Sequence, residues 1–157
     1  LIEFPPMDEQ EYKKTYSEIN TIRCVFEKAL CSLGCHCSKS QQFRLADRLG
    51  YGCESPVAQQ QCAILIGHLR KQTRFVFKLN EITGPLPHNK EIRVQNGGML
   101  GLQKLVQGDA GDENVEDIHA LVQVVVKEYG DINQLPYDLL MQSVMAYKAR
   151  PKRRSGK

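Results

Sequence analysis

The fold of this chain is decided by residues 24–62, which read CVFEKALCSLGCHCSKSQQFRLADRLGYGCESPVAQQQC. This stretch holds all six cysteines of the 157-residue chain. A disulfide framework usually distributes its bridges over the whole structure that it stabilises. Cysteines confined to 39 consecutive residues fit one local site better, so the stretch predicts a compact unit whose thiols converge.

Apolar residues recur at steps of three and four through the first half of the chain, a spacing typical of amphipathic helices. Gly34 is a natural helix end, and Ser55-Pro56 places a capping serine before a proline at the first helical position. We therefore expect three helices in this half, over residues 8–34, 39–49 and 55–79.

The pattern changes at Thr83-Gly84-Pro85, where we place a boundary. Beyond it, Gly97-Gly98 is expected to form a turn, and the remaining periodic segments predict short helices. The fold class that follows is all-α. It comprises a cysteine-bearing helical bundle over residues 1–82, a smaller helical C-terminal part over 83–147 and a disordered basic tail over 148–157.

Helix geometry limits which cysteines can share a site. Cys24 and Cys31 are seven residues apart on the predicted first helix, so they lie about 10 Å apart along its axis at about 1.5 Å per residue. At most one of the two can then belong to a common centre. The others lie in predicted links or point inward from the third helix. The predicted ligands are Cys35, Cys37, Cys53 and Cys62, with Cys31 as the first substitute and Cys24 as the second.

The positions of Cys37 and Cys53 favour an anionic centre, because each directly precedes a predicted helix start, where free N–H groups stabilise thiolates. Structural zinc sites usually pair cysteines two to four residues apart, whereas iron–sulfur clusters accept irregular spacing. The chain has no Cys-x-x-Cys pair. We expect an iron–sulfur cluster, preferably 4Fe–4S, with zinc as the alternative. Disulfides and plain buried thiols stay open, and His36 is either a substitute ligand or an exposed linker residue.

No hydrolase elbow, phosphate-binding loop, dinucleotide fingerprint or paired-histidine zinc motif occurs in the sequence, so we expect no independent catalytic activity. No run of eighteen apolar residues is present, which predicts that no segment spans a membrane. These features predict a cytoplasmic electron carrier, or an accessory subunit of a larger redox assembly.

Charge is distributed unevenly. Of the 21 basic residues, six lie in the last ten, which leaves 15 basic against 18 acidic residues in the rest. A basic tail of this kind can neutralise phosphates or meet an acidic surface. The alternative function is therefore a metal-stabilised binding protein that uses residues 148–157 on nucleic acid or an acidic protein partner.

Overall fold

The structure is a computed structural model that describes residues 7–79, 84–108 and 113–148. In these ranges the chain forms six α-helices, one two-stranded sheet and a short 3₁₀ helix. The predicted tail over residues 148–157 lies outside them, apart from Lys148. The elements are α1 (Glu9–Ile19), α2 (Glu27–Cys31), β1 (Ser40–Leu45), β2 (Arg48–Cys53), α3 (Pro56–Val76), α4 (His88–Gln107), α5 (Ile118–Tyr129), the 3₁₀ helix (Ile132–Gln134) and α6 (Tyr137–Ala146).

The prediction of an all-α fold is wrong, because the predicted second helix over residues 39–49 is a β-hairpin. Its strands are antiparallel, with Phe43 opposite Gly50. The turn residues Ala46 and Asp47 both have positive φ, 50° and 64°. Hairpin turns of this kind usually contain Asn-Gly or Asp-Gly, so Ala-Asp gives no recognisable turn signal. Without a turn signal, the helix-like spacing of Phe43, Ala46 and Leu49 predicts a helix where the chain forms a hairpin.

The predicted first helix is also interrupted, because α1 ends before Asn20. The Asn20 side-chain amide donates to the Tyr51 carbonyl at 3.0 Å, and the Cys24 N–H donates to the same oxygen at 3.2 Å. Asparagine competes with helical hydrogen bonding in this way. Gly52 permits the approach, because a Cβ there would lie 3.1 Å from the Ile22 carbonyl oxygen. Residues 20–24 therefore lie along β2 without helical structure, and Arg23 forms an antiparallel bridge with Gly52.

The third helix is confirmed as α3. Ser55 caps it by accepting from the Ala58 N–H at 3.2 Å, and Pro56 occupies its first turn. Leu65, Ile66 and Leu69 are buried along one side of the helix. This side faces the hydrophobic core.

The predicted turn at Gly97-Gly98 is wrong, because both glycines lie inside α4. A Cβ on Gly97 would lie 2.6 Å from the Cα of Val144 in α6, and one on Gly98 would lie 2.6 Å from Leu69 Cδ1 in α3. The missing side chains therefore let α4 pack closely against both neighbours. This benefit offsets the cost of glycine in a helix interior, about 1 kcal/mol each.

One hydrophobic core draws on residues from both sides of position 83. Its fully buried members include Phe26, Leu30, Leu65, Leu102 and Leu140. Within the described residues, no helix has the length and apolar composition needed to cross a membrane. The compartment stays a prediction.

A buried polar network joins α2, α3 and α4. Arg70 donates two hydrogen bonds to the Glu91 carboxylate, each 2.9 Å long. Glu91 is completely buried and also accepts from Gln95 and from the Leu86 N–H. Gln95 in turn accepts from the Ala29 N–H in α2 at 2.9 Å. The network fixes α2, and with it the residues between Cys24 and Cys37.

Candidate metal centre

Four cysteines from four separate segments line one cavity. Cys24 precedes α2, Cys37 follows it, Cys53 ends β2, and Cys62 lies on α3. The cavity between them has a volume of about 20 Å³, room for about one water molecule. The remaining wall is mainly apolar or uncharged: Val25, Phe26, Ser40, Gly52, Ala58, Gln59 and Ile118, with Lys39 and His119 as the titratable members.

The hairpin brings Cys24 and Cys53 together. The Cys53 N–H donates to the Ile22 carbonyl at 2.8 Å, which aligns the end of β2 with the segment that carries Cys24. Glu27 fixes this arrangement by accepting from the Tyr51 N–H at 2.9 Å and from the Tyr16 hydroxyl at 2.5 Å. Cys24 precedes α2 and does not lie in one long helix with Cys31. The axial distance of about 10 Å between the two, which makes Cys24 the last choice as a ligand, therefore does not apply.

Cys37 is held in place by residues beyond position 113. The His36 N–H donates to the Val115 carbonyl at 2.9 Å, and the Ile118 N–H donates to the His36 carbonyl at 2.8 Å. Asp117 accepts from the backbone N–H and the hydroxyl of Ser38, at 3.0 and 3.1 Å. The segment that carries Cys37 thus lies against the start of α5.

The structure gathers three of the four predicted ligands, together with Cys24. Cys35 does not line the cavity. It is 1% exposed, belongs to the hydrophobic core and places its Sγ 3.8 Å from Asn96 Oδ1. The first substitute, Cys31, is exposed and donates to the Leu49 carbonyl at 3.6 Å. His36 is exposed and lies outside the cavity wall.

Burial governs the ionisation of these thiols. It raises the pKa of Cys24 and of Cys62 to about 12, and the neighbouring thiols add to the shift. Burial raises the pKa of Cys37 as well, although the backbone N–H groups of Lys39 and His119 oppose it. The thiols of Cys24, Cys37 and Cys62 are therefore protonated at neutral pH. Any cation that binds them as thiolates must displace protons.

Within residues 7–79, 84–108 and 113–148, no three His, Cys, Asp or Glu side chains gather closely enough to hold a single metal ion. A zinc ion, at about 2.3 Å from each thiolate, needs sulfurs within roughly 4 Å of each other.

Comparisons of the chain with protein-family models, curated proteins and solved structures find no match. The site is therefore interpreted from its own residues. Cys24 ranks last in the sequence prediction because that prediction assumes an unbroken helix, whereas α1 ends at Ile19. The one signal for it was Asn20, followed by the β-branched pair Thr21-Ile22, both unfavourable in a helix.

Proposed function

We propose that the chain is a small iron–sulfur protein that acts as an electron carrier or as an accessory subunit of a larger redox assembly. Its ligands would be Cys24, Cys37, Cys53 and Cys62, and a 4Fe–4S cluster suits them best. One observation carries the proposal: four thiols from segments distant in sequence line a common cavity. A core that needed only small apolar residues has no reason to concentrate four cysteines there.

The irregular sequence spacing of the four cysteines, with no Cys-x-x-Cys pair, favours a cluster over a single zinc ion. A cluster places iron and sulfide between its ligands, so its cysteines stand further apart than those around one ion. The mainly apolar wall formed by Phe26, Ala58 and Ile118 limits access of water, and backbone N–H groups reach the Cys37 sulfur. Both are means by which proteins stabilise such clusters and set their potentials.

Electron transfer follows from the composition of the ligand set. Four cysteinates leave a 4Fe–4S cluster without an open coordination position, which suits electron exchange rather than substrate binding. When bound, the cluster would supply a one-electron couple. The chain's own residues would hold its thiolates, exclude water and present one side at the cavity opening.

The proposal is tested on protein purified without oxygen or reconstituted with iron and sulfide. We expect about four iron and four acid-labile sulfide atoms per chain, brown colour and bleaching by dithionite that reverses on reoxidation. Colourless protein with one tightly bound zinc, or with neither metal nor sulfide after reconstitution, would reject the proposal. If the protein is free of metal and all six thiols react in denaturant without reductant, disulfides are also excluded. The cysteines would then be ordinary buried residues.

We propose a second function, a metal-stabilised binding protein, on the basis of charge. The last ten residues carry six basic and no acidic residues, whereas the rest of the chain has an acidic excess. This function requires a redox-silent centre. It also requires binding to nucleic acid or an acidic protein that weakens steeply with salt and disappears on deletion of residues 148–157.

A further inference from the structure

The segment that carries Cys37 is tied to α5 by the main-chain bonds of His36 and, in addition, by one carboxylate oxygen. Asp117 Oδ1 accepts three hydrogen bonds: from the Ser38 N–H at 3.0 Å, the Ser38 hydroxyl at 3.1 Å and the His119 N–H at 3.1 Å. The same side chain therefore caps α5 and holds the residue next to Cys37. On the other side, the Ser40 hydroxyl donates to the Cys37 carbonyl at 2.7 Å.

These contacts also determine which donors face the Cys37 sulfur. The backbone N–H groups of Lys39 and His119 act on this thiol. Lys39 directly follows Ser38, and His119 lies in the first turn of α5, so Asp117 holds both residues in register with Cys37. N–H donors to a ligand sulfur stabilise the more negative, reduced form of a cluster and so raise its potential.

Asp117 is suited to this role at neutral pH. Burial raises the pKa of its carboxyl, but hydrogen bonds from Ser38, Ala120 and His119 outweigh burial and hold that pKa below its ordinary value. The carboxylate is thus ionised, and charge-assisted hydrogen bonds of this kind are about twice as strong as neutral ones.

Resting on the proposed function, we infer that Asp117 is the positioning residue for Cys37, and that it sets both the retention and the potential of the bound cluster from outside the ligand set. The residues after position 113 thereby complete a centre whose ligands all lie before position 63. Asp117 would not touch the cluster. It would act through the Ser38 backbone and the start of α5.

The test compares Asp117→Ala with Asp117→Asn in the full chain. Asparagine is as good an N-cap as aspartate and keeps an oxygen for Ser38, whereas alanine keeps neither. Asp131→Ala is the matched control, because Asp131 caps the 3₁₀ helix through the Asn133 N–H at 3.1 Å and does not line the cavity. The readouts are the rate of iron loss to a chelator and the midpoint potential of the loaded protein.

We expect Asp117→Ala to lose iron about 10-fold faster than the wild type or more, as for other residues that support metal ligands. Asp117→Asn and Asp131→Ala should stay within a few-fold of the wild type. Both substitutions at position 117 remove the negative charge, so the charge cannot explain a difference between them. A lower potential in the alanine variant than in the asparagine variant would therefore be due to the loss of N–H donors at the Cys37 sulfur.

If Asp117→Ala and Asp131→Ala lose iron at the same rate, the effect is a general destabilisation of the fold. This result would overturn the inference. Equal potentials in the two position-117 variants would also overturn it. In both cases the wild type would still carry its cluster, so the proposed function would stand. A wild type without a cluster would remove the proposed function and the inference together.

Discussion

Replacing Arg70 with alanine should remove much of the stability of the fold. Arg70 is 15% exposed at its side chain and Glu91 is completely buried, so solvent screens their interaction only weakly. Alanine would leave the Glu91 carboxylate with Gln95 and the Leu86 N–H as donors and without a cation. Breaking a buried pair from one side costs about 3–5 kcal/mol, against a total of about 5–15 kcal/mol for a domain.

The measurement is equilibrium urea denaturation followed by far-ultraviolet circular dichroism, with reductant present. A loss of about 4 kcal/mol at about 2 kcal/mol per molar urea lowers the midpoint by about 2 M. Arg48→Ala is the control, because its pair with Glu9 is 54% and 58% exposed and is strongly screened by solvent. If both variants lose the same small amount, the buried network does not stabilise α2, α3 and α4 as described.

Three further outcomes follow from the same structure. Burial raises the pKa of Glu91, but its donors outweigh burial and hold the pKa below its ordinary value. The stability that it contributes is therefore present above about pH 4.5 and lost as pH falls further, so the urea midpoints of wild type and Arg70→Ala should converge in acid. Gly97→Ala should destabilise by about 1–3 kcal/mol, because the new Cβ meets the α6 backbone at 2.6 Å. Gly67→Ala is the control, because a Cβ at this position of α3 meets no other atom, and it should stabilise the fold by about 0.5–1 kcal/mol. If both glycine variants are more stable than the wild type, α4 does not pack closely against α6 at Gly97. In metal-free protein, burial raises the pKa of Cys62 to about 12, so the stability that its neutral thiol contributes is present below pH 9 and is lost as the pH rises to about 12. The urea midpoint of the wild type should therefore fall over that range. It should fall less in Cys62→Ala, which has no thiol to ionise.

Much of the helical framework could be predicted from local signals. Ser55-Pro56 marks the start of α3 because the capping serine and the first-turn proline act within one helical turn. The apolar period through Ile118, Leu121 and Val125 likewise predicts α5. In both helices the determining interactions lie between neighbours in the sequence.

The hairpin could not be predicted in this way, because its determinants are contacts between distant residues. Its turn lacks a glycine, and its register is fixed partly by the Phe43 ring over Gly50 and by the non-helical segment that Asn20 starts. The same holds for Gly97 and Gly98 of α4. Their role is to allow close contact with α6 and Leu69, and the sequence does not show that these residues pack against them. Local propensity was overridden at these positions by tertiary packing.

The convergence of several thiols was predictable from the sequence, whereas a metal or cluster among them stays a prediction. Clustered cysteines with irregular spacing indicated one converging centre, and Cys37, Cys53 and Cys62 do line one cavity. Two local features determine that Cys24 lines the cavity and that Cys35 does not. The non-helical segment after α1 brings Cys24 to the cavity, while the tight link after α2 directs Cys35 into the core against Asn96.

The most direct test of the account is the iron content of Cys24→Ala beside that of Cys35→Ala, both reconstituted without oxygen and compared with wild type. The two thiols have similarly raised pKa values, about 12 in each, yet only Cys24 lines the cavity. We predict that Cys35→Ala keeps the iron and sulfide of the wild type and that Cys24→Ala loses most of both. Retention of a full cluster by Cys24→Ala, with its loss from Cys35→Ala, would contradict the assigned centre.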